Sequence, residues 1–194
     1  MAAQPEPRAE RRDPDDHGAH RHWRAGSRGC AYPIGARCLR LMLVWRLTRP
    51  EFAPGLDGLG ARRVGGRWNS PGRPAVYCAG SLALAALEVF VHLPPSMRTP
   101  EKLPELNAVC LRLPDGATVT EVGWDKIDDP GDIECFRRLG DAWLDTGSAL
   151  ALRAPSLVIP AEFNLILNPL HAGMASVEIV SNSAFRFDPR LGTT

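Results

Sequence analysis

The segment Leu82–Leu93 (LALAALEVFVHL) is built almost wholly of good helix formers, follows Ser81 and runs into Pro94-Pro95. Neither proline offers a backbone N–H and each restricts the residue before it, so the helix must stop there, while the Ser81 hydroxyl suits a cap at its start. So apolar a helix has to be packed on most of its circumference. Ser81, Ala85, Glu88 and His92 recur at helical spacing and form one narrow stripe, in which Glu88 is the only acidic residue of the helix. Two readings follow. Either the stripe faces water and Glu88 is a solubilising charge, or a carboxylate lines a cleft.

The residues just upstream favour the cleft. Gly65-Gly66 leaves the backbone sterically open before Arg67-Trp68-Asn69, and Ser70-Pro71-Gly72 has turn chemistry. Ala75–Ala79 (AVYCA) is a short apolar run between Pro74 and Gly80, which predicts a buried strand carrying Tyr77. An arginine, a tyrosine and a glutamate thus lie on adjacent elements folded together by a glycine-marked turn. The plainer alternatives are an Arg67–Glu88 salt bridge and a Tyr77 that is simply core.

The remaining chain supplies the frame. Its 194 residues suffice for one domain with spare length, and 44% hydrophobic with 23% charged residues is ordinary for a globular protein. The net charge of +1 hides an asymmetry: 8 arginines stand against 5 acidic residues before Met42, which leaves about −2 for the rest. That argues against a dedicated nucleic-acid surface, which needs a concentrated basic footprint. Residues 1–41, rich in Arg, Asp, His, Pro and Gly without apolar periodicity, are expected to be a disordered or non-native leader, with the functional domain spanning 42–194. The Leu39–Leu47 run is too short and too interrupted by arginine for a membrane span or signal peptide, so a cytoplasmic location is expected. Five scattered cysteines, at 30, 38, 78, 110 and 135, fit a reducing compartment, with Cys78, Cys110 and Cys135 as small core residues and no metal site.

Strands are predicted at Leu43–Leu47, Asn107–Leu113, Thr118–Val122, Pro155–Pro160, Phe163–Leu167, Ser176–Val180 and Ala184–Phe187, with a loop over Glu51–Arg63. Ile133, Phe136, Leu139, Trp143 and Leu144 recur as on an amphipathic helix. Arg46, within the first strand, belongs either at a pocket rim or in solvent, and Ser156 either enters a site or caps a turn. Strands around two helices without βαβ alternation indicate a compact mixed α+β domain. No dinucleotide G-x-G-x-x-G, P-loop or G-x-S-x-G element occurs, and no spacing supports a Ser-His-Asp hydrolase.

Taken in order, Trp45-Arg46-Leu47, Gly65-Gly66-Arg67-Trp68-Asn69, Tyr77, Glu88 in Leu84-Ala85-Ala86-Leu87-Glu88, Pro155-Ser156, Asn164, Asn168-Pro169 and Phe187-Asp188-Pro189-Arg190-Leu191 resemble the RES domain family over almost all of Met42–Leu191. Ala172 after His171 departs from that pattern, so no role passes to His171. The resemblance implies a fold similar to ADP-ribosyltransferases. It also implies a bacterial toxin, neutralised by an antitoxin with an Xre-like helix-turn-helix, that uses NAD+ as substrate rather than as a redox cofactor. Three outcomes are open: degradation by hydrolysis or phosphorolysis, ADP-ribosyl transfer to a protein, or a non-enzymatic module that only binds the antitoxin.

Under that resemblance Glu88 stabilises positive charge developing on the ribose, and Tyr77 offers a flat face to nicotinamide. Arg67 and Arg46 suit the pyrophosphate, and one of them an incoming inorganic phosphate, because the guanidinium fork matches phosphate geometry. Ser156 would hydrogen-bond the substrate, and Asn168 and Asn69 would orient nearby groups or merely hold turns.

Overall fold

The computed structural model describes residues 42–192. The reading of residues 1–41 as a leader, together with Cys30 and Cys38, lies outside the described residues. Seven strands form one sheet: β1 (Leu43–Thr48), β2 (Val76–Ala79), β3 (Leu106–Arg112), β4 (Val119–Glu121), β5 (Ala151–Pro155), β6 (Phe163–Leu167) and β7 (Glu178–Phe185), in the order β4-β5-β6-β2-β1-β3-β7. Only the β4–β5 pair is parallel. The mixed α+β class expected from the sequence is the one observed.

The alternation of each strand sorts side chains between the two faces of the sheet. One face carries Val44, Val76, Val109, Leu111, Leu165 and Leu167, all fully buried, closed over by loop residues such as Leu56, Met174 and Val177. The other face carries Trp45 and Leu47 from β1, Tyr77 and Ala79 from β2, Leu152 and Ala154 from β5 and Ile166 from β6. On it lie the helices α2 (Leu82–His92) and α3 (Ile133–Thr146), after a short α1 (Leu59–Val64).

Local chemistry fixes both long helices. Ser81 caps α2 by accepting the Leu84 N–H at 3.1 Å and itself donates to Glu162 Oε2 at 2.9 Å. Asp132 caps α3 through the Glu134 N–H at 2.9 Å, and Gly147, in the left-handed region at φ 58°, ends it. Cys135, Phe136, Gly140 and Trp143 are the buried face of α3. Gly140 is required by close approach: a Cβ there would overlap the Trp68 carbonyl oxygen, so the helix axis is pressed directly against the Gly65–Asn69 loop.

Four expectations are corrected. The strand predicted at Pro155–Pro160 runs instead over Ala151–Pro155, and Ser156–Ile159 is a turn. Arg153 masked this strand, since its stem lies under a guanidinium stacked 4.1 Å from the Phe163 ring centroid while Nη1 reaches Glu121 at 3.1 Å. The two terminal strands are one edge strand, β7, exposed on both faces along nearly all its length and therefore free of the apolar alternation that marks a strand. The Glu51–Arg63 loop contains α1, a short helix with none of its residues buried. Lastly, α2 is less enclosed outside its Ser81, Ala85, Glu88 and His92 stripe than expected: Leu87 and Val91 are 37% and 41% exposed.

The cysteines behave as expected. Cys78, Cys110 and Cys135 are free and buried, and burial pushes the Cys78 thiol up to about 12. Among the described residues no helix is long and apolar enough to cross a membrane.

Candidate active site

A cleft of about 770 Å³ opens on the helical face of the sheet, between α2, the Gly65–Trp68 loop, the start of α3 and the turn after β5. Trp45, Leu47, Tyr77, Leu157 and Val158 give it an apolar wall, and Glu88, Arg67, Arg137, Asn164 and His92 are its polar members. Glu88 therefore lines a cleft, as the second reading of its stripe required.

The carboxylate is held by two groups distant in sequence. Glu88 Oε1 accepts from Ser156 Oγ at 2.8 Å and from Asn164 Nδ2 at 2.6 Å. Both bonds fall on the same oxygen, so Oε2, with no partner among the described residues, is the one free to act in the cleft. Neither donor is charged, and Glu88 forms no ion pair with Arg67 among the described residues. The carboxylate thus shares the cleft with an apolar wall, whose low polarity strengthens its field on anything bound there.

Of its two readings, Ser156 has the turn-capping one, and it adds a bond to Glu88. Its side chain is fully buried, its hydroxyl donates to Glu88, and its oxygen accepts the N–H groups of Val158 and Ile159, each at 3.0 Å. One donor and two lone pairs are all a hydroxyl has, and all are used. Ser156 has no hydrogen left for a substrate, so it is a positioning residue that fixes Glu88 to the turn after β5.

Tyr77 stands in the wall with its hydroxyl equally engaged. It accepts the Trp68 N–H at 2.9 Å and donates to Asn69 Oδ1 at 2.7 Å. Burial pushes its pKa well above the ordinary phenol value, so it remains neutral. What it can offer a ligand is ring surface. Asn69, fully buried, donates to the carbonyls of Ala61, Ser70 and Arg73, so of its two expected roles it has the turn-holding one. Gly66 completes the junction, because a Cβ there would strike the Tyr77 hydroxyl.

Arg67 lines the cleft with its guanidinium 5.0 Å from the Phe136 ring centroid, and Phe136 in turn meets Trp68 edge-on at 5.1 Å. Ser70 N–H and the Arg73 guanidinium tie the same loop to Asp141 of α3, at 2.9 and 3.5 Å. Two expected members are elsewhere. Arg46 follows the alternation of β1 onto the face opposite Trp45 and Leu47, paired with buried Val109, and lies outside the cleft. Asn168, 2% exposed, accepts the Leu170 N–H at 3.0 Å and holds the turn after β6.

Besides His92, two polar cleft residues carried no role in the sequence analysis. Asn164 was legible only as part of a family pattern, and its contact with Glu88 spans 76 residues. Arg137 sat inside an amphipathic repeat as one of two adjacent arginines, and only the helix phase decides which of them faces the cleft.

The family model described as the RES domain matches residues 43–188. A protein of Yersinia enterocolitica named Toxin Res is 35% identical over 158 residues, covering 77% of this chain and 99% of that protein. A Toxin Res of Pseudomonas putida is 37% identical over 144 residues, covering 71% and 92%. A protein of a Sphingobium species named Prs ADP-ribosylating toxin is 32% identical over 155 residues, covering 76% and 94%. Among solved structures, a chain of the M. tuberculosis MbcT-MbcA toxin-antitoxin complex superposes with a TM-score of 0.58 at 18% identity, covering 78% of this chain and 86% of that one, which speaks for the fold alone.

Proposed function

This chain belongs to the RES domain family, and we propose that it is a cytoplasmic toxin that consumes NAD+ by breaking the bond between nicotinamide and ribose. The observation that carries the reading is Glu88: a carboxylate with one oxygen braced by Ser156 and Asn164 and the other unspent, set in an apolar cleft beside cationic Arg67 and the Tyr77 ring.

In the reaction the C–N bond breaks with its electron pair leaving on nicotinamide, which departs neutral. Positive charge is left on the ribose as an oxocarbenium-like species. Glu88 Oε2 stabilises that charge or grips a ribose hydroxyl. The brace on Oε1 means that little reorganisation accompanies the step. Tyr77 presents its ring to the nicotinamide and Arg67 its guanidinium to the phosphates. Attack by water gives ADP-ribose and attack by inorganic phosphate its phosphorylated form, a proton being released in the first case to solvent.

A second reading, transfer of ADP-ribose to a cellular protein, is favoured by one observation, the name of the Sphingobium relative. It shares the bond-breaking half and differs only in the acceptor. The partner proposed is an antitoxin with an Xre-like helix-turn-helix, in keeping with a structural neighbour solved as a toxin-antitoxin complex.

The test is mass spectrometry of NAD+ incubated with the full chain, with and without inorganic phosphate and with and without a bacterial lysate. Nicotinamide release is expected, and Glu88→Gln, whose amide oxygen can still accept both brace hydrogen bonds, should lower it about 10²–10³-fold with the melting temperature preserved. Phosphate dependence separates phosphorolysis from hydrolysis, and an ADP-ribose mass on a lysate protein selects transfer. NAD+ left intact by folded protein under every condition ends the enzymatic reading in favour of a module that only binds its antitoxin.

A further inference from the structure

Two arginines meet on one side of the cleft through a reciprocal clasp. From the loop, Arg67 extends over Phe136 of α3. From α3, the neighbouring Arg137 sends its Nε to the carbonyl of Gly66, the residue before Arg67, at 3.1 Å. Each guanidinium is therefore anchored within one residue of the other, and both line the cleft. Both also act electrostatically on the Tyr77 hydroxyl in the cleft wall.

The carboxylates around this pair do not match it. Asp141 is engaged by Arg73 at 3.5 Å and by the Ser70 N–H at 2.9 Å. Arg67 has no carboxylate partner among the described residues. Arg137 has one, Glu134, whose Oε1 lies 2.8 Å from Nη1 and whose side chain is 59% exposed. An ion pair with so exposed a carboxylate is held weakly and exchanges readily for a better anion. Two guanidinium groups that line one cleft hold like charges there, and an anion that pairs with both offsets their repulsion. One phosphate occupies one fork, so two forks suit two linked phosphates.

We propose that Arg67 and Arg137 form a paired guanidinium subsite for a diphosphate, with Glu134 the carboxylate that the diphosphate displaces from Arg137. The chain then selects nucleotides with two linked phosphates, nucleoside diphosphates and pyrophosphate-bridged dinucleotides alike, over nucleoside monophosphates. This deepens the NAD+ reading and rests on it for the reaction, but binding at the subsite is separable from bond cleavage. It also places the second phosphate cation on α3, where the sequence had suggested Arg46.

Calorimetry on the full chain with ADP and AMP tests it, because neither probe carries a nicotinamide bond to break. The wild-type protein should bind ADP at least about ten-fold more tightly than AMP. Arg137→Gln should weaken ADP about 10–30-fold and AMP less than about three-fold, erasing most of the preference. Glu134→Gln should tighten ADP about two- to five-fold, and that gain should vanish when Arg137→Gln is added. Arg137 also supports the Gly66 carbonyl. Equal weakening of both probes by Arg137→Gln would reduce it to a loop prop and overturn the proposal, as would a wild type without preference for ADP or an Arg137→Gln protein that keeps it. If NAD+ stays intact while the ADP preference holds, the cleavage reading fails and the subsite stands. Nicotinamide release without an ADP preference removes the subsite and leaves the cleavage reading in place.

Discussion

Ser156→Ala separates positioning from substrate contact. The substitution removes one hydrogen bond to the Glu88 carboxylate and leaves the Val158 and Ile159 N–H groups without their acceptor. A bond to a charged group contributes about 1.5–3 kcal/mol, and each abandoned N–H costs up to a similar amount where water cannot replace the lost partner. The turn can relax, so a net loss of about 2–4 kcal/mol in stability is expected, visible as a fall of roughly 5–15 °C in Tm. Glu88 would keep its Asn164 bond at 2.6 Å but lose the second anchor. A carboxylate free to swing by about 1 Å costs on the order of 10–100-fold in kcat. KM should hardly move, because Ser156 has no free hydrogen to give a substrate. The assay is steady-state nicotinamide release below the variant's melting temperature, paired with a thermal melt. A raised KM with unchanged kcat and unchanged Tm would refute the reasoning and return Ser156 to direct contact with the substrate.

Gly140→Ala adds a Cβ into the Trp68 carbonyl and should push α3 off the Gly65–Asn69 loop. A loss of about 1–3 kcal/mol by denaturant titration is expected, despite the better helix propensity of alanine, and activity should fall with it. At the C-terminal end, the hydrogen bonds from Arg190 hold the Asp188 carboxyl down at about 2. A carboxylate with a depressed folded pKa adds stability above its unfolded value of about 4 and loses it as pH falls toward 2, so Tm measured from pH 5 to pH 2 should drop more steeply for wild type than for Arg190→Gln. Parallel curves for the two proteins would show that the pair adds nothing.

What the sequence made legible was local. Ser81 before an apolar run and Pro94-Pro95 after it bounded α2, and the Gly65-Gly66 step announced a loop that lets Tyr77 approach closely. Glu88 stood out because a carboxylate on so apolar a helix needs a reason. The rest depended on partners far along the chain. Whether Ser156 faced a substrate or a carboxylate was decided by three hydrogen bonds, and the one that set its role spans 68 residues. Arg46 and Arg137 were ambiguous for a related reason: alternation and helical period give relative facing within an element, while the packing of that element decides which side meets the cleft. Strands β5 and β7 were misplaced where an arginine stem or full exposure hid the alternation on which such assignments depend.

The brace on Glu88 also fixes when the site can exist. Ser156 and Asn164 follow Glu88 by 68 and 76 residues, so during synthesis α2 leaves the ribosome long before either of its anchors has been made. At translation rates of about 5–20 residues per second that interval is roughly 4–15 s. Strand β6, which carries Asn164, is moreover inserted between β2 and β5, so the centre of the sheet itself waits for the last third of the chain. A nascent or truncated chain that stops short of β6 therefore carries every residue of α2 without the brace that holds the Glu88 carboxylate in place.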